Sequence, residues 1–232
     1  SVTSIGNYAF NGCNVTSVTI PDSVTSIGNY AFYSCKSLVS VTIPDSVTSL
    51  GDFAFRLCSE LKSIKLSDNL TVIGKYAVAD CPKLTSITIP DSVKKIGNYA
   101  FNYCEGLTSV VIPGKVRDIG EEAFYNCKNL TSITIPRSTV IIREDAFNLC
   151  GNLKDVYYTG LLSEWDDMII DPGNDYLTNA TISHRCAYGD WEIDREPTCT
   201  EEGLKSQFCE ACKEQSDFTV IPPLGHDFVV DS

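Results

Sequence analysis

The decapeptide SVTSIGNYAF fills positions 1–10 and returns letter for letter at 23–32, and near-copies of it begin at 46, 69, 92, 115 and 138. Ile5, Ile27, Leu50, Ile73, Ile96, Ile119 and Ile142 mark the frame, in steps of 22 residues once and 23 thereafter. A fixed period of this length is the sign of a solenoid built from short coils. A single coil cannot bury its own apolar face, so it becomes stable only when stacked between others like itself. That constraint explains the copying before any function is considered.

The residue types within one coil predict its local geometry. In LTSITI, at 84–89, Leu84, Ile87 and Ile89 point inward and Ser86 and Thr88 outward, the alternation of a strand. Pro90 follows, lacks an N–H and suits a strand end. Val93 and Ile96 add two inward anchors, and Gly97 is expected to permit a sharp bend. NYAFNYC, at 98–104, then reads as a turn or two of helix, with Ala100 small enough for close stacking and Phe101 and Cys104 on one face.

The frame L-x-S-I-T-I-P-x-x-V-x-x-I-G-x-x-A-F-x-x-C resembles a leucine-rich repeat of the BspA-like class of bacterial surface proteins, through seven copies covering about 1–160. The resemblance implies an α/β repeat solenoid with coils of about 23 residues, β-rich and curved, followed by a small Cys-stapled β module. It also implies a cell-surface or secreted location and an adhesin-type role, binding an extracellular protein or glycan. A stiff stalk presenting another domain at the envelope is the alternative.

Cys13, Cys35, Cys58, Cys81, Cys104, Cys127 and Cys150 take one place in each coil. Neighbouring coils are close enough for bridging, but the count is odd and all seven side chains point the same way. Buried free thiols filling a tight inner corner are therefore expected. Such thiols suit the oxygen-poor habitat of the anaerobes in which the class is common.

The frame ends after residue 150. DVYYTG, at 155–160, replaces the usual strand, and 161–183 lacks the Ile-Gly…Ala-Phe pattern. An exposed solenoid end needs a cap, and Trp165, Met168, Ile169, Ile170, Leu177 and Ile182 supply its apolar surface. The acids Glu164, Asp166, Asp167, Asp171 and Asp175 lack the spacing of a calcium loop and read as a solvated face. Ser1 begins inside a coil, so further coils are expected to precede it.

Charge marks the same boundary. Residues 1–150 carry 13 basic and 13 acidic side chains, whereas 151–232 carry 5 and 17, which supplies the whole net charge of −12. No basic stripe exists to meet phosphates, which argues against nucleic acid as a partner. No run of 18 apolar residues occurs, so no membrane span is expected.

Cys186, Cys199, Cys209 and Cys212 follow in a C-x12-C-x9-C-x2-C spacing. Four thiolates at such spacing suit a tetrahedral zinc site or two disulfides, and free thiols remain a third state. The stretch resembles a short cysteine module of surface proteins from anaerobic gut bacteria, carrying PTCTEEG (197–203), CEAC (209–212) and IPPLGH (221–226), with Lys213 where that module has Gly. GHDFVVD, at 225–231, aligns with GDWEID, at 189–194, as the start of a further module. The domains read as a solenoid at 1–160, a cap at 161–183, the cysteine module at 184–224 and a module start at 225–232.

No catalytic constellation is present. Both histidines, His184 and His226, lie outside the solenoid, which removes a Ser-His-Asp or Cys-His arrangement from its surface. The glycines recur once per coil and form no phosphate loop. A non-enzymatic, monomeric binding protein is expected. Its outward strand positions form two columns, Ser17, Ser40, Ser63, Ser86, Ser109, Ser132, Asp155 and Thr19, Thr42, Lys65, Thr88, Val111, Thr134, Tyr157. Binding specificity is expected where these columns depart from Ser and Thr, at Lys65, Val111, Asp155 and Tyr157.

Overall fold

The computed structural model describes residues 2–184, with His184 by its backbone, and the backbones of Trp191–Arg195, Gly203–Gln207 and Thr219–Ile221. The last three strands form a small antiparallel sheet. Cys186, Cys199, Cys209 and Cys212 lie outside the described residues, as does the alignment at 225–231.

Residues 2–184 form a β-solenoid whose coils stack in register. On the first face the outward Ser-x-Thr strands pair in parallel, Ser17–Thr19 with Ser40–Thr42 and Ser63–Lys65. Beyond a gap, Ser109–Val111, Ser132–Ile135, Asp155–Tyr158 and Thr181–His184 continue the same ladder. On the second face eight two-residue strands, from Ser4–Ile5 to Ile169–Ile170, pair likewise in two runs, three strands up to Ser49–Leu50 and five from Val72–Ile73 onward. The segment after the last repeat thus adds a rung to both ladders.

LTSITI keeps its predicted inward side chains, Leu84, Ile87 and Ile89 being buried. It forms no strand, however: 86–88 pair with neither neighbouring coil among the described residues.

The third face corrects the expected helix. NYAFNYC and its equivalents are consecutive turns with left-handed residues, such as Tyr30 (φ 56°) and Ser34 (φ 57°), or Tyr99 (φ 62°) and Tyr103 (φ 56°). Alternate N–H groups close turns inside the coil, as Ala31 to Gly28 and Tyr33 to Tyr30. Those between them donate to the next coil, as Tyr30 to Asp52, Phe32 to Ala54 and Ser34 to Arg56, at 2.8–2.9 Å. A helix would satisfy its N–H groups within the coil and leave this face unjoined. Left-handed backbone costs about 1–2 kcal/mol at a residue with a side chain, and inter-coil bonding with ring stacking offsets it. Tyr8, Tyr30, Phe53, Tyr76 and Tyr99 stack with centroids 4.4–4.8 Å apart. Among the described residues helix is confined to Leu162–Trp165 and Asp175–Thr178, in the segment that follows the last repeat.

Inside, the phenylalanines form a second column, with Phe32 and Phe55 at 5.0 Å and Phe124 and Phe147 at 5.3 Å. Val78 interrupts it. The thiols of Cys35, Cys58, Cys81, Cys104, Cys127 and Cys150 are buried and unbridged. Each donates to the carbonyl at the Phe position of the preceding coil, for example Cys58 to Phe32 at 3.3 Å and Cys127 to Phe101 at 3.4 Å. Alanine would leave both the sulfur's volume empty and that contact unmade. At the far end Trp165 and Leu177 are buried, whereas Ile169, expected in the cap's apolar surface, is 53% exposed.

The frame glycines Gly28, Gly51, Gly97 and Gly120 serve close approach rather than a left-handed bend. Gly97 has no positive φ, and a Cβ there would meet the Ile73 carbonyl oxygen at 2.7 Å. At Gly51 it would meet the Asn29 nitrogen at 2.5 Å, whereas at Gly114 nothing lies within 4 Å. Gly51→Ala is expected to lower stability by at least ~2 kcal/mol, the scale of a buried backbone clash. Gly114→Ala should be neutral or raise stability by up to ~1 kcal/mol by restricting the unfolded chain. Thermal melts by circular dichroism distinguish the two; equal midpoints would remove close approach as the reason for glycine.

Candidate binding surface

The outward residues of the first face fall into two groups. Ser17, Thr19, Ser40, Thr42, Asp45 and Lys65 line a shallow groove of about 470 Å³. Lys65 Nζ stands 3.9 Å from Asp45 Oδ1, with both side chains more than half exposed. An ion pair so open contributes little to stability, about 0–1 kcal/mol, which leaves both groups usable by a ligand.

Val111 and Tyr157 share one row of the four-stranded sheet, with Thr134 between them, and Asp155 stands beside Ser132 in the neighbouring row. Val111 is 58% exposed, while Thr134 is only 6% exposed although it points outward, flanked by Val111 and Tyr157. Tyr157 and Asp155 are half-buried. Three of the four expected residues therefore come together. Lys65 lies four coils from Tyr157, about 19 Å at one strand spacing per coil.

Reasoning from strand positions missed the third face. Its aromatic column carries Arg56 over the Tyr76 ring at 4.4 Å, and Arg56 Nε is bonded to Asp80 Oδ2 at 2.7 Å. Lys75 Nζ stands 5.7 Å from the Tyr76 and Tyr99 rings. Beyond Tyr99 the column turns acidic, at Glu122 and Asp145. Tyr99 donates to Glu121 Oε1 at 2.7 Å, and that bond raises the phenol's pKa. Burial, with Asp145 and Glu121 nearby, pushes the Glu122 carboxyl up. The signal in the sequence is an aromatic recurring before Ala in the first five copies, at Tyr8, Tyr30, Phe53, Tyr76 and Tyr99.

On the second face Asp118 joins three coils, receiving Arg143 Nε at 2.8 Å and Lys95 Nζ at 3.1 Å. Burial alone would raise its carboxyl, but the bonds from Arg143 and Lys95 outweigh burial and hold it below the ordinary range. Of the acids of the last coil Glu164 takes structural work, its Oε2 accepting the Leu161 N–H and its Oε1 accepting Arg137, while Asp166, Asp167 and Asp175 are exposed as expected of a solvated face. Among the described residues no group of three or more His, Cys, Asp or Glu could hold a metal.

A family model described as BspA type leucine rich repeat region (6 copies) matches residues 1–107 and 71–186. The chain belongs to that family. A leucine-rich repeat protein from Bacteroides ovatus is similar at 34% identity, with a TM-score of 0.60 over 62% of this chain and 40% of that one. The T. pallidum leucine-rich repeat protein is similar at 28% identity and a TM-score of 0.62, over 78% and 89%. The chain thus spans less than half of the B. ovatus protein. No curated protein matches it. Solenoids of this class carry their partners on extended surfaces, and no helix among the described residues is long and apolar enough to cross a membrane.

Buried thiols make the solenoid's stability depend on pH from the alkaline side. Burial pushes Cys58, Cys104 and Cys150 up to about 12, and Cys35, Cys81 and Cys127 also upward. A thiol whose folded pKa lies above its unfolded value of ~8.5 stabilises fully below that value and loses the contribution as pH rises toward the folded one. Urea midpoints are expected to hold up to about pH 8 and fall between about pH 9 and 12. Native Cys35–Cys150 should resist Ellman's reagent at pH 8; prompt reaction of all six would contradict their burial.

Proposed function

We propose that the chain is an adhesin-type binding module, exposed at a bacterial surface or secreted, which holds an extracellular protein through its first face. The observation that carries this reading is the row Val111–Thr134–Tyr157 with Asp155 beside it. There an exposed apolar side chain, an aromatic ring and a carboxylate replace the Ser and Thr of other coils. Aromatic and apolar anchors of this kind carry most of the energy in protein interfaces, whereas hydroxyl carpets carry little. Lys65, in the groove of the first three coils, supplies a separate charged contact.

A glycan is the alternative ligand, suited to the hydroxyls of Ser17, Thr19, Ser40 and Thr42. The stalk reading is favoured by the same uniformity, since Ser and Thr paired across strands stabilise a sheet without any partner. The four cysteines Cys186, Cys199, Cys209 and Cys212 are proposed to staple their module through zinc or through two disulfides. Metal analysis of protein purified without chelator, with a thiol count, separates these.

The binding proposal is tested with immobilised extracellular-matrix proteins and mucins. Tyr157→Ala with Val111→Asp is expected to weaken capture at least ~10-fold, the loss of one interface anchor. Lys65→Ala should weaken it less and reduce its salt dependence. Unchanged capture by the double variant, or no capture by the parent chain, sinks the sheet-binding reading and leaves the stalk.

A further inference from the structure

We infer that the solenoid carries a built-in hinge between residues 65 and 72, open on two faces and clamped on the third. Both strand ladders stop at this level. On the second face Thr48 donates to Thr25 and Gly51 to Ile27, while Lys94 donates to Thr71 and Gly97 to Ile73, at 2.8–3.0 Å. The corresponding bonds from Thr71 to Thr48 and from Gly74 to Leu50 are absent among the described residues, and Ser49–Leu50 does not pair with Val72–Ile73. On the first face Ser63–Lys65 has no partner beyond it, and 86–88 remain unpaired on both sides.

Spacing at the corner glycines agrees. A Cβ on Gly51 or Gly120 would meet backbone at 2.5 Å, and on Gly97 at 2.7 Å. On Gly74 the nearest backbone atom would be 3.3 Å away. The sequence departs at the same place: Ser67 stands where neighbouring coils have Pro44 and Pro90, and Val78 removes one ring from the phenylalanine column.

The third face stays joined. Phe53, Phe55 and Leu57 donate to Lys75, Ala77 and Ala79 at 2.8–3.0 Å. Asp52 Oδ1 accepts the Lys75 N–H at 2.8 Å, and Phe53 stacks on Tyr76 at 4.8 Å. Arg56 crosses the same seam, lying over Tyr76 and bonded to Asp80. Two faces without ladder bonds and one with extra bonds define an axis along the third face. The turn at 67–69 is bonded to Val47 and Asp45 and moves with the coil before it, and the exposed Lys83–Glu60 ion pair is a further link across the seam. Rotation about it opens the strand side and changes the angle between the Lys65 groove and the Val111–Tyr157 row. A ligand touching both would feel that angle, but the hinge itself requires no ligand.

Residue-resolved hydrogen exchange on the full chain tests this. Thr71, Gly74 and 86–88 are expected to exchange at least ~100-fold faster than Thr48, Gly51 and Ile133, as locally opened segments do. Phe55 and Leu57 should stay slow. Protection of Thr71 and Gly74 equal to that of Thr48 and Gly51 would overturn the seam. Fast exchange at Phe55 and Leu57 as well would mean that the halves separate instead of hinging. Arg56→Ala is expected to speed exchange at Phe55 and Leu57 at least ~10-fold and leave Ile133 unchanged; no response would remove Arg56 from the clamp.

Discussion

Backbone contact between successive coils is the constraint on which every other feature rests. Gly28, Gly51, Gly97 and Gly120 let one coil's main chain lie against the next where a Cβ would meet atoms at 2.5–2.7 Å. That approach lets N–H groups of one coil reach carbonyls of the next on all three faces. Once the spacing is set, like side chains fall above like, so a residue that suits one coil suits every coil. Phe stacks on Phe, and each buried thiol meets the carbonyl below it. Repetition in the sequence is the direct result of translation in space.

The third face shows how much of this was legible and how much was not. Inward and outward positions followed from the alternation in LTSITI, and the buried thiols from an odd count of identically placed cysteines. The turns at NYAF did not follow, because Ala, Phe and Tyr at these spacings satisfy a helical face equally well. What decides against the helix is the need for bonds along the stack, which no single coil displays. Glycine was similarly ambiguous: a bend and a close contact demand the same residue, and only the neighbouring coil shows which applies. Hydropathy alone places Ile169 inside, whereas its strand turns it outward beside Ile141.

The candidate site was legible as a rule and not as a place. Departures from a uniform column marked Val111, Asp155 and Tyr157, and the pairing register does unite them. The same rule named Lys65, but distance along the stack assigns it to another surface. A repeat sequence reports which positions are free to vary; the register reports which variations are neighbours. Arg56 and Lys75 carry no signal in the sequence, because a helix at their coil positions would form no aromatic column for them to cover.

Stacking by identity also creates the solenoid's weak point. A coil that departs in several anchors at once loses partners on both sides, since each anchor serves two neighbours. Ser67 and Val78 are such departures in one coil, and the ladders fail around that coil. In a globular core the surrounding side chains would absorb a Phe-to-Val change from many directions. Here relief comes only along the axis, so the cost appears as separation of coils. The Ser67 hydroxyl, fully buried, turns back to the Val47 carbonyl at 2.6 Å and holds the chain to the coil before it. Arg56 and Asp80 secure the opposite side. An arrangement whose backbone bonds run unbroken along one edge and are interrupted in both strand ladders moves by bending, because sliding would break the edge that is closed.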